Sequence, residues 1–176
     1  MSERPQTQPL LPDGSLRCRP LEADDLPLLQ SWHHAGAASF YDLRPDDEER
    51  AAQALSSESP HFVLLDAGGA AVGYFCVGPA ARVAGGRYGR EAADRGLVLR
   101  PDLAGAGHGR AWTPAVLAFV ADRFGTPLRV TIAAWNQPAL RLAARLGFRV
   151  AGGFGGFRHG GTPHVILVAG GPRSGA

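Results

Sequence analysis

The chain has 176 residues, 45% of them hydrophobic, and a formal charge of +2 at neutral pH. That describes one domain of ordinary size with apolar material for a core, without the basic stripe of a nucleic-acid binder. All 18 basic residues are arginine, which excludes a Schiff-base lysine and a lysine-dependent phosphate loop.

Residues 1–14, polar and rich in proline, read as a disordered arm without the apolar core of a secretory signal. Residues 171–176, "GPRSGA", read as a flexible tail, leaving a single domain over 15–170. No window of about 18 apolar residues occurs, so no membrane span is expected. Cys18 and Cys76 form neither a disulfide framework nor a zinc spacing, and the default address is cytoplasmic.

"LRCRPL" (16–21) reads as a strand. "EADDLPLLQSWHHA" (22–35) reads as a helix with acids in its first turn. A second helix is expected over about 45–56. "HFVLLDA" and "AAVGYFCVG" flank Gly68-Gly69 as a hairpin. Residues 80–93 are a glycine- and arginine-rich loop, and "DRGLVLR" (94–100) is the next strand.

A helix follows from about 107 to 124. Its apolar positions 112, 115, 116, 119 and 120 share one face. Pro114 is expected to kink it, and Gly125 to cap it. "LRVTIAAW" (128–135) is a buried strand. "NQPALRLAARLG" (136–147) is a helix with Asn136 as N-cap. "FRVAGGF" and "HVILVA" close the chain as two strands.

The chemistry concentrates in "RPDLAGAGHGRAW". Gly105, Gly107 and Gly109 stand between a strand and a helix. A dinucleotide fingerprint needs glycine at 110 or 112, where the chain has Arg110 and Trp112, and the acid expected after the next strand is Trp135-Asn136. The turn still suits an anion, because glycines permit close backbone approach and the first helix amides point outward, unpaired. Tight packing of strand on helix accounts for the same glycines. Gly96 marks either a bulge that aims amides away from the sheet or a packing requirement.

Two segments in register resemble the GNAT superfamily of N-acetyltransferases. The first is Pro101, Ala104, Gly105, Ala106, Gly107, His108 and Gly109, against Pro-x-x-(Arg/Gln)-Gly-x-Gly-x-(Gly/Ala). The second is Asn136, Ala139, Leu142, Ala143, Gly147 and Phe148, against Asn-x-x-Ala-x-x-Leu-Tyr-x-x-x-Gly-Phe. The resemblance implies a single-domain α/β fold with helices on both faces. Its mixed, mostly antiparallel sheet splays between the fourth and fifth strands.

The resemblance also implies acetyl-coenzyme A as co-substrate. Its pyrophosphate would lie on the amides of Gly105, Ala106, Gly107, His108, Gly109 and Arg110. Its pantetheine arm would lie along Leu97, Val98 and Leu99, with Asn136 bonding the same arm. The reaction implied is direct attack of a small-molecule or peptide amine on the thioester. Neither nucleic acid nor membrane is expected as a partner, and a homodimer is left open.

Two family positions differ. The first-motif arginine or glutamine is Ala104. The tyrosine that protonates the departing thiolate is Ala143, which slows the reaction without forbidding it and leaves a catalytically silent acyl-coenzyme A-binding domain as the rival reading. Asp94 is the first candidate base and Glu91 the second. An amide near Leu97–Leu99 would hold the oxyanion.

Trp32 and Tyr41 are the expected acceptor contacts. Asp42, Asp46, Asp47, Glu48 and Glu49 would suit a cationic amine, though acids at 46–49 also start a helix. His33-His34 read as a surface pair and Cys76 as core. His159 and His164 lack the partners of a metal site. His108 reads as structural or phosphate-adjacent.

Overall fold

The structure, a computed structural model, describes residues 6–89, 91–151 and 156–170. Nine strands form one sheet: β1 (Gln8–Pro9), β2 (Leu16–Pro20), β3 (His61–Asp66), β4 (Ala71–Val77), β5 (Ala93–Leu99), β6 (Leu128–Ala133), β7 (Arg149–Val150), β8 (Gly156–His159) and β9 (Thr162–Ala169). Their order is β1-β2-β3-β4-β5-β6-β9-β7, with β8 also on β9. All neighbours are antiparallel except β5 and β6. The helices are α1 (Leu26–Gln30), α2 (Glu48–Ala54), α3 (His108–Phe124) and α4 (Gln137–Arg145).

The parallel pair positions everything that follows. Its register contains Ala93–Leu128 and Asp94–Arg129 and then stops, although β5 runs on to Leu99 and β6 to Ala133. The strands part and leave a wedge in the sheet. One side is closed by a core of Phe75, Val77, Val116, Leu117, Val120, Val130 and Ala143, which packs α3 and α4. The other is closed by Leu29, Trp32, Leu43, Ala54, Val63 and Tyr74, which packs α1 and α2.

Four expectations change. Within the arm predicted to be disordered, Gln8 and Pro9 pair with Cys18 and Arg17; residues 1–5 lie outside the described residues, as does the predicted tail 171–176. The first helix stops at Gln30 instead of 35, because the His34 amide turns to the Asp42 carboxylate at 3.1 Å. A 3-10 segment, Gly36–Tyr41, follows. Two strands, β8 and β9, replace the single "HVILVA" strand, and part of "FRVAGGF", residues 152–154, lies outside the described residues. Gly96 sits in unbroken register opposite Cys76, so β5 carries no bulge there; a Cβ at 96 would meet Cys76 Sγ at 3.1 Å, which makes it a packing glycine.

The hairpin is as read, with Ala70 donating to Asp66 Oδ1 at 2.9 Å and Gly69 at φ +88°. Asp47 caps α2 by accepting from the Arg50 amide at 2.9 Å.

Candidate active site

The wedge opens into a cleft of about 880 Å³ that crosses the sheet from α2 to α4. Its β5 wall follows from ladder geometry. Gly78 donates to the Asp94 carbonyl and Arg100 to the Val72 carbonyl, so bonding to β4 falls on residues 94, 96, 98 and 100. Antiparallel ladders alternate. The peptide groups of Arg95, Leu97 and Leu99 therefore turn toward the wedge, while those of Val98 are spent on β4. Of the three residues expected along the pantetheine arm, Leu97 and Leu99 turn peptide groups to the wedge and Val98 offers only its side chain. The amide turned into the wedge arises from splay, not from a bulge.

The mouth of the wedge is the glycine turn. Gly105 and Gly107 hold φ of +79° and +90°, a region that L side chains rarely adopt. Cβ atoms built at Gly105, Gly107 or Gly109 would meet nothing within 4 Å. The glycines are thus required by backbone conformation and leave open room, not by crowding. Ala106 N–H donates to Leu103 O and Arg110 N–H to Gly107 O, so those two amides are already engaged. Gly105, Gly107, Gly109 and Arg110 line the cleft, whereas Ala106 and His108 do not. His108 turns away and stacks on Trp112, with ring centroids 4.6 Å apart.

Asn136 begins α4 as expected. Its Oδ1 accepts from Ala139 N–H at 3.3 Å, and the residue lines the cleft. Its Nδ2 has no protein partner among the described residues. Arg141 and Arg145, one turn apart on α4, line the same end. Free amides, open glycine positions, a free carboxamide donor and exposed arginines together fit a phosphate-bearing, amide-bearing ligand such as coenzyme A. Ala143 is buried against the α3–α4 core and borders the cleft.

Neither candidate base reaches the cleft. Asp94 is 2% exposed and its carboxylate is fully engaged. Oδ1 accepts from Arg129 Nε at 2.5 Å, and Oδ2 from Arg129 Nη2 at 2.7 Å and Arg82 Nε at 2.8 Å. Such a carboxylate, buried and bonded to two arginines, anchors the closed end of the wedge and is not open to a substrate. Glu91 is exposed and outside the cleft. Trp32 is buried beneath the sheet beside Tyr74. Tyr41 does line the cleft and leans on Trp135 at 5.8 Å.

Three histidines line the cleft instead, His34, His61 and His159. His34 was expected at the surface with His33. His33 is exposed, but the His34 side chain is 9% exposed. Its Nδ1 meets Asp42 Oδ1 at 2.6 Å and its Nε2 meets the Leu99 carbonyl at 2.8 Å. Both partners accept, so the ring ties the 3-10 segment to the wedge-facing carbonyl of β5. The second, His61, carries no motif and escaped the sequence reading. It opens β3 and lines the cleft. Its Nδ1 donates to the Ser59 carbonyl at 2.7 Å, which fixes the tautomer and leaves the Nε2 lone pair free. Burial, aided by the nearby Arg50 charge, holds its pKa below the ordinary 6.5. His61 is therefore neutral at neutral pH. Cys76 and Gly96, directly opposite in the register, form a small-residue floor beside it.

Among the described residues, no group of three or more His, Cys, Asp or Glu side chains is placed to hold a metal, and no helix is long and apolar enough to cross a membrane.

A family model for an acetyltransferase (GNAT) domain matches residues 22–154. Several solved structures share the fold. A putative GnaT-family acetyltransferase from Bordetella pertussis aligns with TM-score 0.67 and 21% identity, covering 89% of this chain and 96% of its own. The spermidine/spermine N-acetyltransferase SpeG from Vibrio cholerae aligns with TM-score 0.64 and 17% identity, covering 89% and 93%. No curated protein matches in sequence. With the splayed β5–β6 pair and the glycine turn in place, the family match over most of the domain establishes that this chain is an acetyltransferase of the GNAT family.

Proposed function

We propose that the protein transfers an acetyl group from acetyl-coenzyme A to an amine by direct attack. The wedge-facing peptide groups of Leu97 and the wedge-facing amide of Leu99, leading to the glycine turn, are the observation that carries this reading. The free amides of the turn, with Arg110, would hold the pyrophosphate, and Asn136 Nδ2 the pantetheine arm. When bound, the thioester supplies an acyl carbon with a thiolate leaving group, a tolerable one near neutral pH because thiols ionise near 8.5.

The residues of the chain supply the rest. His61 Nε2 takes the proton that the acceptor nitrogen must lose as it bonds to carbon, directly or through a water. A wedge-facing N–H of β5 holds the developing oxyanion. Tyr41 lines the same cleft, and its hydroxyl has no hydrogen-bond partner among the described residues. It is the phenol available to protonate sulfur in place of the side chain missing at Ala143. Asp94 keeps β5 and β6 joined, so that the wedge opens from a fixed vertex.

Incubation with acetyl-coenzyme A and a panel of amines, with products read by mass spectrometry, tests the proposal. Acetylated amine formed only with enzyme is the expected result. Coenzyme binding without any acetylated product contradicts it.

A further inference from the structure

The cleft carries arginines that no acidic side chain among its described lining residues balances. No aspartate or glutamate lines the cleft among the described residues. The acids of residues 42–49, which were expected to receive a cationic amine, are elsewhere. Asp42 serves His34, Asp47 caps α2, and neither they nor Asp46, Glu48 and Glu49 border the cleft.

The arginines of this region differ in how they are engaged. Arg82 is paired with Asp94, and Arg50 donates to the Asp42 carbonyl at 3.1 Å. Arg95 is the first β5 residue beyond the Asp94–Arg129 pair, where the wedge begins to open. It lines the cleft, its Nε is buried without a hydrogen-bond partner, and its guanidinium pairs with no carboxylate among the described residues. Desolvation draws its pKa down to about 10, which still leaves it charged at neutral pH.

The groups around it offer no compensation. Burial raises the Cys76 thiol to about 11 and raises the Tyr74 phenol as well, so both are neutral. His61 is neutral for the reason already given. Arg50 and Arg95 both act electrostatically on Cys76, one from the α2 side and one from the vertex. A buried cation is costly unless an anion joins it. Among the described residues, no acidic side chain supplies this site with a negative charge.

We propose that Arg95, which lines the cleft, receives a carboxylate of the acceptor, so that the substrate is an amine bearing an acidic group, such as an amino acid, and not a polyamine. The inference rests on the transferase reading above. A carboxylate matches the planar guanidinium fork. Polyamines would bring further positive charge to a cleft that already has uncompensated arginines.

The test compares free α-amino acids, the methyl esters of the same amino acids, and spermidine as acceptors with acetyl-coenzyme A. The free acid should exceed its ester by about tenfold or more in kcat/KM, and spermidine should be poorer still. Arg95→Met should abolish that preference while the melting temperature stays level or rises, because a half-buried charge with no carboxylate partner among the described residues has been removed. Arg95→Gln provides a second variant of polar character. Esters or spermidine acetylated as fast as the free acids overturn the inference while leaving the transferase reading intact. So does a preference that survives in both variants, or a marked loss of melting temperature in both. Discrimination that appears among donors, with succinyl-coenzyme A outrunning acetyl-coenzyme A, also overturns it by placing the carboxylate on the acyl group. Turnover with no amine at all, despite coenzyme binding, removes the transferase reading and this inference with it.

Discussion

Asp94 and Arg129 form a two-pronged ion pair at the vertex of the wedge, with N–O distances of 2.5 and 2.7 Å and both side chains at most 3% exposed. It occupies the last paired position before β5 and β6 separate. The residue that the sequence offers as a base is thus a structural anchor.

Asp94→Asn keeps the size and removes the charge. Arg129 would be left buried without its carboxylate, a situation that costs about 3–5 kcal/mol. Urea unfolding should show a loss of that order. Wild-type stability combined with turnover about 10²-fold slower would return Asp94 to the chemistry.

His61→Gln should lower kcat by about 10²-fold while leaving coenzyme affinity unchanged. The wild-type profile of kcat/KM against pH should fall on the acid side, because His61 must be neutral to accept a proton. Burial and Arg50 depress its pKa, so the fall should lie below 6.5. The charged and titratable groups facing it are Arg50, Tyr74 and Cys76, and the latter two hold their protons well above that range. The sign for stability is the same: the unfolded chain binds this proton first, so stability declines as pH drops through 6.5 toward the folded pKa. An unshifted acid limb in His61→Gln would assign the proton transfer elsewhere.

Ala143→Tyr tests the missing phenol. Position 143 borders the cleft but is 4% exposed and packed in the α3–α4 core with Phe148. A tyrosine there should overpack, at about 1–3 kcal/mol, and lower the melting temperature. Unchanged melting with faster turnover would show instead that the pocket kept room for the acid.

The parts of the molecule that local chemistry dictates were legible in the sequence. The hairpin at Gly68-Gly69, the Asn136 cap and the glycine turn are short-range signals. The buried face of α3 is Thr113, Val116, Leu117 and Val120, rotated from the expected 112, 115, 116, 119 and 120, and Pro114 lies within a helix that runs unbroken from His108 to Phe124. What was not legible depends on contacts across long separations. Asp94 meets Arg129 35 residues later, and His34 meets the Leu99 carbonyl 65 residues later. The carboxylate and the imidazole therefore exchanged their expected places: Asp94 went to the core and His34 to the cleft. His61 belongs to no motif. A histidine opening a β-rich run after Pro60 was the signal available, and it marks position without marking chemistry.

Coenzyme binding and amine-dependent thiol release, measured side by side on the wild type and on turn variants, test the central claim most directly. Gly107→Val places a β-branched side chain at φ +90° and fills the open room above the turn; Gly109→Ala fills room without forcing a positive φ. The account predicts that the wild type binds acetyl-coenzyme A and releases coenzyme A only when an amine is present. It predicts that each folded variant loses at least about tenfold in affinity by calorimetry, roughly 1.4 kcal/mol. Unchanged affinity in both folded variants would displace the phosphate site from this turn. Tight binding with no amine-dependent release in the wild type would make the wedge a coenzyme receptor and not a catalyst.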